Sequence, residues 1–267
     1  MQKLKYFSLV IITILGLFSC SPYQKVLNKG KITDQYKMAV DLYNKKEYAK
    51  SIVLFDKVAP SFTGKPQMER IDYMRANAHY NIKDYNLSGY YFRRFSNNYP
   101  KSSKREEALY LSAKGYYLSS PKYSLDQTDT KKAIDVLQEF INAYPDSDKL
   151  KEANKIYASL SQRIEKKYFE IAKQFLKLEK YKAAIVAFDN FLEDFTGTVY
   201  KEEALYLKYK AAYELGINSV ENKKQERINK ALIYYKKLEK DYPKSKYLKE
   251  IEDSRNLLNK QLQALTN

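Results

Sequence analysis

From residue 33 to residue 243 the apolar residues recur at helical spacing, and they do so in pairs of segments. In the second segment of each pair, small or apolar residues stand at i, i+1, i+4 and i+7. The sets are Ser51, Ile52, Phe55 and Val58; Ser88, Gly89, Phe92 and Phe95; Ala133, Ile134, Leu137 and Phe140; Ala184, Ile185, Phe188 and Phe191; and Ala231, Leu232, Tyr235 and Leu238. Those offsets put one stripe on one helix face. The first segments carry Ala39, Ala76, Ala113 and Ala172, where two helices approach closely, and Tyr209 breaks that pattern in the fifth pair. Between pairs a phrase returns: YPKSSKREEA at 99, YPDSDKLKEA at 144, FTGTVYKEEA at 195 and YPKSKYLKEI at 242. Pro100, Pro145 and Pro243 cannot continue a helix, and Ser102, Ser147, Thr198 and Ser245 are placed as N-caps. Glu107, Glu152, Glu203 and Glu250 follow near the positive helix start. The pattern predicts an all-α chain of five helix pairs. A last amphipathic segment carries Leu248, Ile251, Leu258, Leu262 and Leu265.

A second periodicity runs along the first helices. Tyr36, Tyr73 and Tyr110 are spaced by 37 residues, as are Tyr43, Tyr80 and Tyr117, and the members of each pair are seven apart on one face. Phe169 with Leu176 and Tyr206 with Tyr213 continue the ladder. Together with the alanines, the stripe residues and the linker prolines, this resembles the tetratricopeptide repeat, whose positions are matched by Ala39, Ser51 and Phe55; Ala76, Ser88, Phe92 and Pro100; Ala113, Ala133, Leu137 and Pro145; Ala172, Ala184 and Phe188; and Ala231, Tyr235 and Pro243. The repeat's opening tryptophan is missing throughout. The resemblance implies a solenoid of five helix pairs closed by a C-terminal capping helix. It also implies that Tyr36, Tyr43, Tyr73, Tyr80, Tyr110 and Tyr117 line a concave peptide groove, with Arg70, Asn77 and Lys114 at groove-type offsets. The alternative for the tyrosines is packing between neighbouring repeats. Insertions at 119–130 and 216–227 expand the third and fifth pairs, either for partner contacts or for nothing.

The N-terminus changes the compartment. Lys3 and Lys5 precede an apolar run from Phe7 to Phe18, placed like the core of a secretory signal. Cys20 is the single cysteine of the chain and sits where that run stops. Leu17-Phe18-Ser19-Cys20 resembles a bacterial lipobox, with Leu three residues before the cysteine and a small residue just before it. The resemblance implies cleavage after residue 19 and lipidation of Cys20, which anchors the chain to a membrane. Ser21 stands where an inner-membrane retention signal would have Asp, so outer-membrane sorting is expected. Residues 20–32 read as a lipidated polar tether.

Loss of residues 1–19 removes two lysines and no acid, leaving the formal charge at +14 instead of +16. Such a charge would suggest nucleic acid in a cytosolic protein. Export argues against it and leaves a solvated basic surface, anionic lipid head groups or an acidic partner. Nothing in the chain has the spacing of a catalytic, metal or cofactor site. His79 is the sole histidine and falls at a buried-type offset.

The lipobox, the five repeats, the SPKYSLDQTDTKKAI insertion and the Tyr-Pro stops together resemble the BamD/ComL family, the lipoprotein component of the outer-membrane β-barrel assembly machinery. The resemblance covers essentially the whole chain. It implies an outer-membrane-anchored scaffold facing the periplasm and no enzyme. Residues 33–163, repeats one to three, would receive unfolded barrel precursors. Residues 164–267, repeats four and five with the cap, would hold the barrel-forming BamA subunit. The alternative is another repeat lipoprotein of the cell envelope, acting in division or nutrient uptake.

Overall fold

A computed structural model describes residues 22–266. The signal segment and Cys20 lie outside the described residues. The fold is all-α and follows the tetratricopeptide-repeat pattern. Thirteen helices are described: α1 (Pro22–Lys29), α2 (Ile32–Asn44), α3 (Tyr48–Phe62), α4 (Gln67–Asn81), α5 (Tyr85–Asn98), α6 (Arg105–Ser119), α7 (Thr128–Ala143), α8 (Leu150–Lys177), α9 (Tyr181–Asp194), α10 (Lys201–Ile217), α11 (Glu221–Asp241), α12 (Lys246–Glu250) and α13 (Glu252–Thr266). They form two compact units. One runs through Ser120 and adds Thr128–Tyr157; the other comprises Pro121–Gln127 and Ala158 onward.

The stripes are core. Phe55, Phe92, Phe140 and Phe188 are wholly buried, and so are Ala39, Ala76, Ala113 and Ala172 on the facing helices. Burying each such ring is worth about 1.5–3 kcal/mol, so the phenylalanines dominate the apolar energy of each pair. Alanine lets the paired helices close until a side chain reaches backbone across the gap. Ser51 Oγ donates to Ala39 O at 2.8 Å, and Ser88 Oγ donates to Ala76 O at 3.1 Å. Tyr209 departs from alanine for a reason the linear pattern hides. It faces the capping helix, where its hydroxyl meets Ser254 Oγ at 2.8 Å, and its ring fills the space as one of the largest fully buried side chains.

The turns inside the pairs share a device. Lys46, Lys83 and Glu179 have φ of 63°, 65° and 56°. In each case the next amide reaches back five residues: Glu47 N to Leu42 O, Asp84 N to His79 O and Lys180 N to Phe175 O. These are Schellman endings, a geometry that favours glycine, filled here by charged residues. A tyrosine then opens the next helix, and Tyr43–Tyr48 and Tyr80–Tyr85 meet edge-on at 5.5 Å.

Three expectations need revision. Residues 22–29 are helix and not tether: Gln35 Nε2 donates to the carbonyls of Val26, Leu27 and Gly30 at 3.1–3.2 Å and fixes α1 to α2. Ser102, Ser147 and Thr198 each accept from the amide two residues on, but in a turn that precedes the helix; only Ser245 caps a helix directly. The 216–227 stretch is no loop, because α10 and α11 extend into it from both sides and leave only 218–220 between them. The insertion around 119–130 does hold irregular chain. Gln127 is 4% exposed and donates to its own loop's carbonyls at Lys122 and Leu125.

Helices α5 and α6 approach closely at a glycine. A Cβ on Gly115 would sit 2.8 Å from Tyr85 O and 3.0 Å from Gly89 N, whereas one on Gly197 would meet nothing within 4 Å. Backbone atoms cannot move aside as a side chain would. Gly115→Ala is therefore expected to cost about 1–3 kcal/mol, read as a lowered melting temperature, and Gly197→Ala to leave it unchanged.

Candidate peptide-binding cleft

The first helices of the pairs place the tyrosine ladder, and its members meet different fates. Tyr36 packs on Phe62 with ring centres 5.2 Å apart. Tyr43 donates to Asn77 Oδ1 at 2.8 Å, so α2 and α4 are pinned by two of the expected groove residues. Tyr73 sits edge-on to Phe92 and Phe95 at 5.7 and 5.4 Å. Tyr80 meets Tyr85, and Tyr117 is half-buried near the end of α6. Tyr110 is only 5% exposed.

Tyr110 belongs to a unit that recurs along the chain. Its hydroxyl donates to Glu152, Lys114 one helical turn on lies 5.5 Å from its ring centre, and Lys114 Nζ reaches Glu152 at 3.0 Å. In the next copy Lys173 lies 5.1 Å from the Phe169 ring centre and 3.2 Å from Glu203. In the last, Tyr206 donates to Glu250 while Lys210 lies over the ring at 5.2 Å and 3.7 Å from the same acid. An aromatic, a lysine four residues later and an acid of the following linker thus form one latch. Tyr110 and Lys114 are engaged by it.

Tyr73 shows the variant. Position 77 is asparagine, so the cation comes from Lys104, 5.4 Å over the ring, and the acid is Glu107. Burial, then the hydrogen bond to Glu107, pushes the Tyr73 hydroxyl well above its ordinary pKa. Burial alone would raise Glu107; the Lys104 ammonium and the Tyr73 hydroxyl overcome it and hold the carboxyl below its usual range. Tyr110 is pushed up to about 12 by burial and by Glu152, and Glu152 is lowered by Tyr110 and Lys114.

Beside this variant latch the first unit opens a cleft of about 510 Å³ lined by Tyr43, Asn44, Pro66, Glu69, Arg70, Tyr73, Met74, Phe95 and Lys104. Arg70 is exposed and makes no ion pair among the described residues. Of the nine expected groove residues the cleft gathers Tyr43, Arg70 and Tyr73; Asn77 backs it through Tyr43, and Tyr36, Tyr80, Tyr110, Lys114 and Tyr117 lie outside its lining. Lys104, Glu69 and Phe95 were not anticipated. Part of the signal for the latch was in the chain: Glu107 and Glu203 each follow their aromatic by 34 residues. His79 is buried, with Nδ1 3.1 Å from Asp84 Oδ2 and its ring against Tyr91. It is packed into the pair and remote from the cleft lining.

A family model described as YfiO, outer membrane lipoprotein, matches residues 28–228. The chain belongs to this family. It is similar to the outer membrane protein assembly factor BamD of Rickettsia prowazekii (strain Madrid E), 24% identical over 249 residues, covering 92% of this chain and 95% of the relative. It is also similar to BamD of Pasteurella multocida (strain Pm70), 22% identical over 82% of this chain and 88% of that one. The putative BamD of Aquifex aeolicus (strain VF5) is 24% identical over 78% of this chain and 68% of its own. The matched family region spans the cleft and the latches as far as Phe169 to Glu203, and it includes Tyr206 and Lys210 but stops before Glu250.

The latch carries a pH signature. The depressed carboxyls of Glu107 and Glu152 contribute stability that is present above their unfolded pKa and lost as pH falls through the folded one. Glu107→Gln/Glu152→Gln should therefore lower the melting temperature at pH 7, and the gap to the parent chain should close as pH drops below the ordinary glutamate range, measured by thermal unfolding across a pH series.

Proposed function

We propose that this protein is a lipid-anchored scaffold of the outer membrane, facing the periplasm, that takes part in assembling β-barrel outer-membrane proteins. The observation that carries the reading is the cleft in which Tyr43, Tyr73 and Arg70 come together, in a chain of this family. Cys20 is its lipidation site. A barrel precursor offers alternating aromatic side chains and a terminal carboxylate in an extended segment. Tyrosines supply apolar area with a polar tip, and an unpaired guanidinium supplies a carboxylate fork. The cleft holds both, and its latch keeps Tyr73 and Lys104 in place before any peptide arrives, which limits the ordering cost of binding.

Because Arg70 is exposed and Tyr73 is built into the fold, the two separate binding from stability. Arg70→Glu should leave the melting temperature unchanged, as exposed substitutions usually do. It should weaken binding of a synthetic peptide with the sequence of a barrel's last strand by about 1–3 kcal/mol, read by fluorescence titration. Unchanged affinity would remove Arg70 and the cleft from precursor binding.

The second unit is proposed to hold the barrel-forming subunit. A cleft of about 350 Å³ on α9, α10 and α11 has Ile185, Val186, Ala212 and Leu215 as its apolar part. Lys182, Lys223, Arg227 and Lys230 ring it, against the single carboxylate of Glu226, which is paired with Lys230 at 2.9 Å. An acidic segment with an apolar anchor suits that rim. Val186 is 58% exposed, so Val186→Glu should spare the fold and reduce co-purification of the barrel subunit from solubilised membranes. Full recovery of the subunit would place it elsewhere.

A further inference from the structure

The turns inside the pairs gather along one edge of the first unit. α2, α4 and α6 end there and α3, α5 and α7 begin there, as Asn86 at the start of α5 and Asp129 at the start of α7 show by meeting at 2.6 Å. Its turns present Lys46 and Lys83, neither of which makes an ion pair among the described residues. The acids of the same edge are engaged: Asp41 by Lys45, Glu47 by Lys50, Asp84 by His79 and Asp129 by Lys132. Large apolar side chains stand on the same edge: Ile82 and Leu87 flank Lys83, Leu118 is near the end of α6, and they are 43%, 41% and 42% exposed.

The start of α1 lies near this edge. Helix α1 begins at Pro22, two residues after Cys20, so acyl chains on Cys20 and the first turn of α1 are separated by at most about 7 Å of backbone. α1 cannot swing away freely. Gln35 holds three of its carbonyls, Lys57 donates to Leu27 O, and Tyr23 reaches Lys50 O at 3.5 Å in the first turn of α3. The start of α1 is thereby fixed beside the turn that carries Lys46. A chain lipidated there has no slack with which to hold that turn clear of the head groups.

We infer that the edge formed by the turns around Lys46 and Lys83, with Ile82, Leu87 and Leu118, rests on the anionic inner face of the membrane that holds Cys20. The proposal rests on lipidation of Cys20. Unpaired lysines near a surface attract anionic lipid, and a basic patch added to acyl chains is the pairing of signals that makes anchoring firm. The apolar groups stand at or next to helix ends and line neither of the two clefts described above. They fit a plane better than they fit a peptide.

The test uses the full acylated chain in vesicles of phosphatidylethanolamine and phosphatidylglycerol whose acyl chains carry bromine. An environment-sensitive dye is placed at Ile82→Cys or Leu87→Cys, with Lys101→Cys, on the linker edge of the same unit, as the control. Quenching at 82 and 87 and none at 101 is expected, and Lys46→Glu/Lys83→Glu should weaken it in these vesicles. Equal quenching at all three sites, or none at 82 and 87 in a chain shown by labelled palmitate to be acylated, would overturn the proposal and leave the lipoprotein reading standing. Shielding of 82 and 87 by a protein partner without quenching would assign the edge to that partner instead. If Cys20→Ser incorporates as much palmitate as the parent chain, both readings fall together.

Discussion

A helix pair of this size cannot bury its apolar face by itself, and the rest of the molecule follows from how each pair obtains cover from the next. Within a pair the contact is alanine against serine or alanine, close enough for Ser51 and Ser88 to reach backbone carbonyls of the facing helix. Some contacts between one pair and the next linker are aromatic, as where Phe169 stacks on Tyr200 and Tyr206 on Tyr247, and aromatic rings alone leave an edge that slides. The latch of ring, lysine and linker acid adds direction to it, because the carboxylate of one repeat must find both the hydroxyl and the ammonium of the one before. Tyr110, Lys114 and Glu152 show it in full. With Phe169 the hydroxyl is missing and the lysine alone carries the connection to Glu203.

The candidate cleft lies beside the copy in which the latch takes its cation from elsewhere. With asparagine at position 77, the carboxamide is free to accept from Tyr43, and the cation over Tyr73 must come from Lys104 on the far side. The rearrangement leaves the space in front of Tyr73 open and places two positive side chains, Arg70 and Lys104, around it. Had lysine stood at 77, as at 114, 173 and 210, it would compete for the same ring and acid. The open cleft thus lies where asparagine replaces the lysine found at positions 114, 173 and 210.

Much of this could be read in the chain, and what could not has identifiable causes. The stripes, the close-approach alanines and the linker stops follow from a 3.6-residue period and from proline's missing donor, both local properties. Local rules failed where a distant group decides. Pro22–Lys29 is too short to show a stripe and is helix because Gln35 gathers three of its carbonyls. Tyr209 reads as an error in a repeat until Ser254 of the capping helix is seen against it. The 216–227 stretch reads as a loop from its polarity, yet polar residues suit the outer turns of a helix as well as they suit a loop. Of the tyrosine ladder, the spacing revealed a shared face but not which rings a neighbour covers, since cover comes from side chains one repeat away.

The same local-versus-distant distinction bears on where the molecule meets its surroundings. Three of the turns inside the pairs use a left-handed residue, and at Lys46, Lys83 and Glu179 the residue is charged where glycine would relieve strain. A left-handed residue ending a helix directs its side chain outward, away from the packed pair. A lysine there costs some backbone strain and gains a cation that no intramolecular acid at the turn takes up. Selection for stability alone favours glycine at such a position. Two lysines in the first unit, on the edge near which α1 begins, are better explained by something outside the chain that carries the opposite charge.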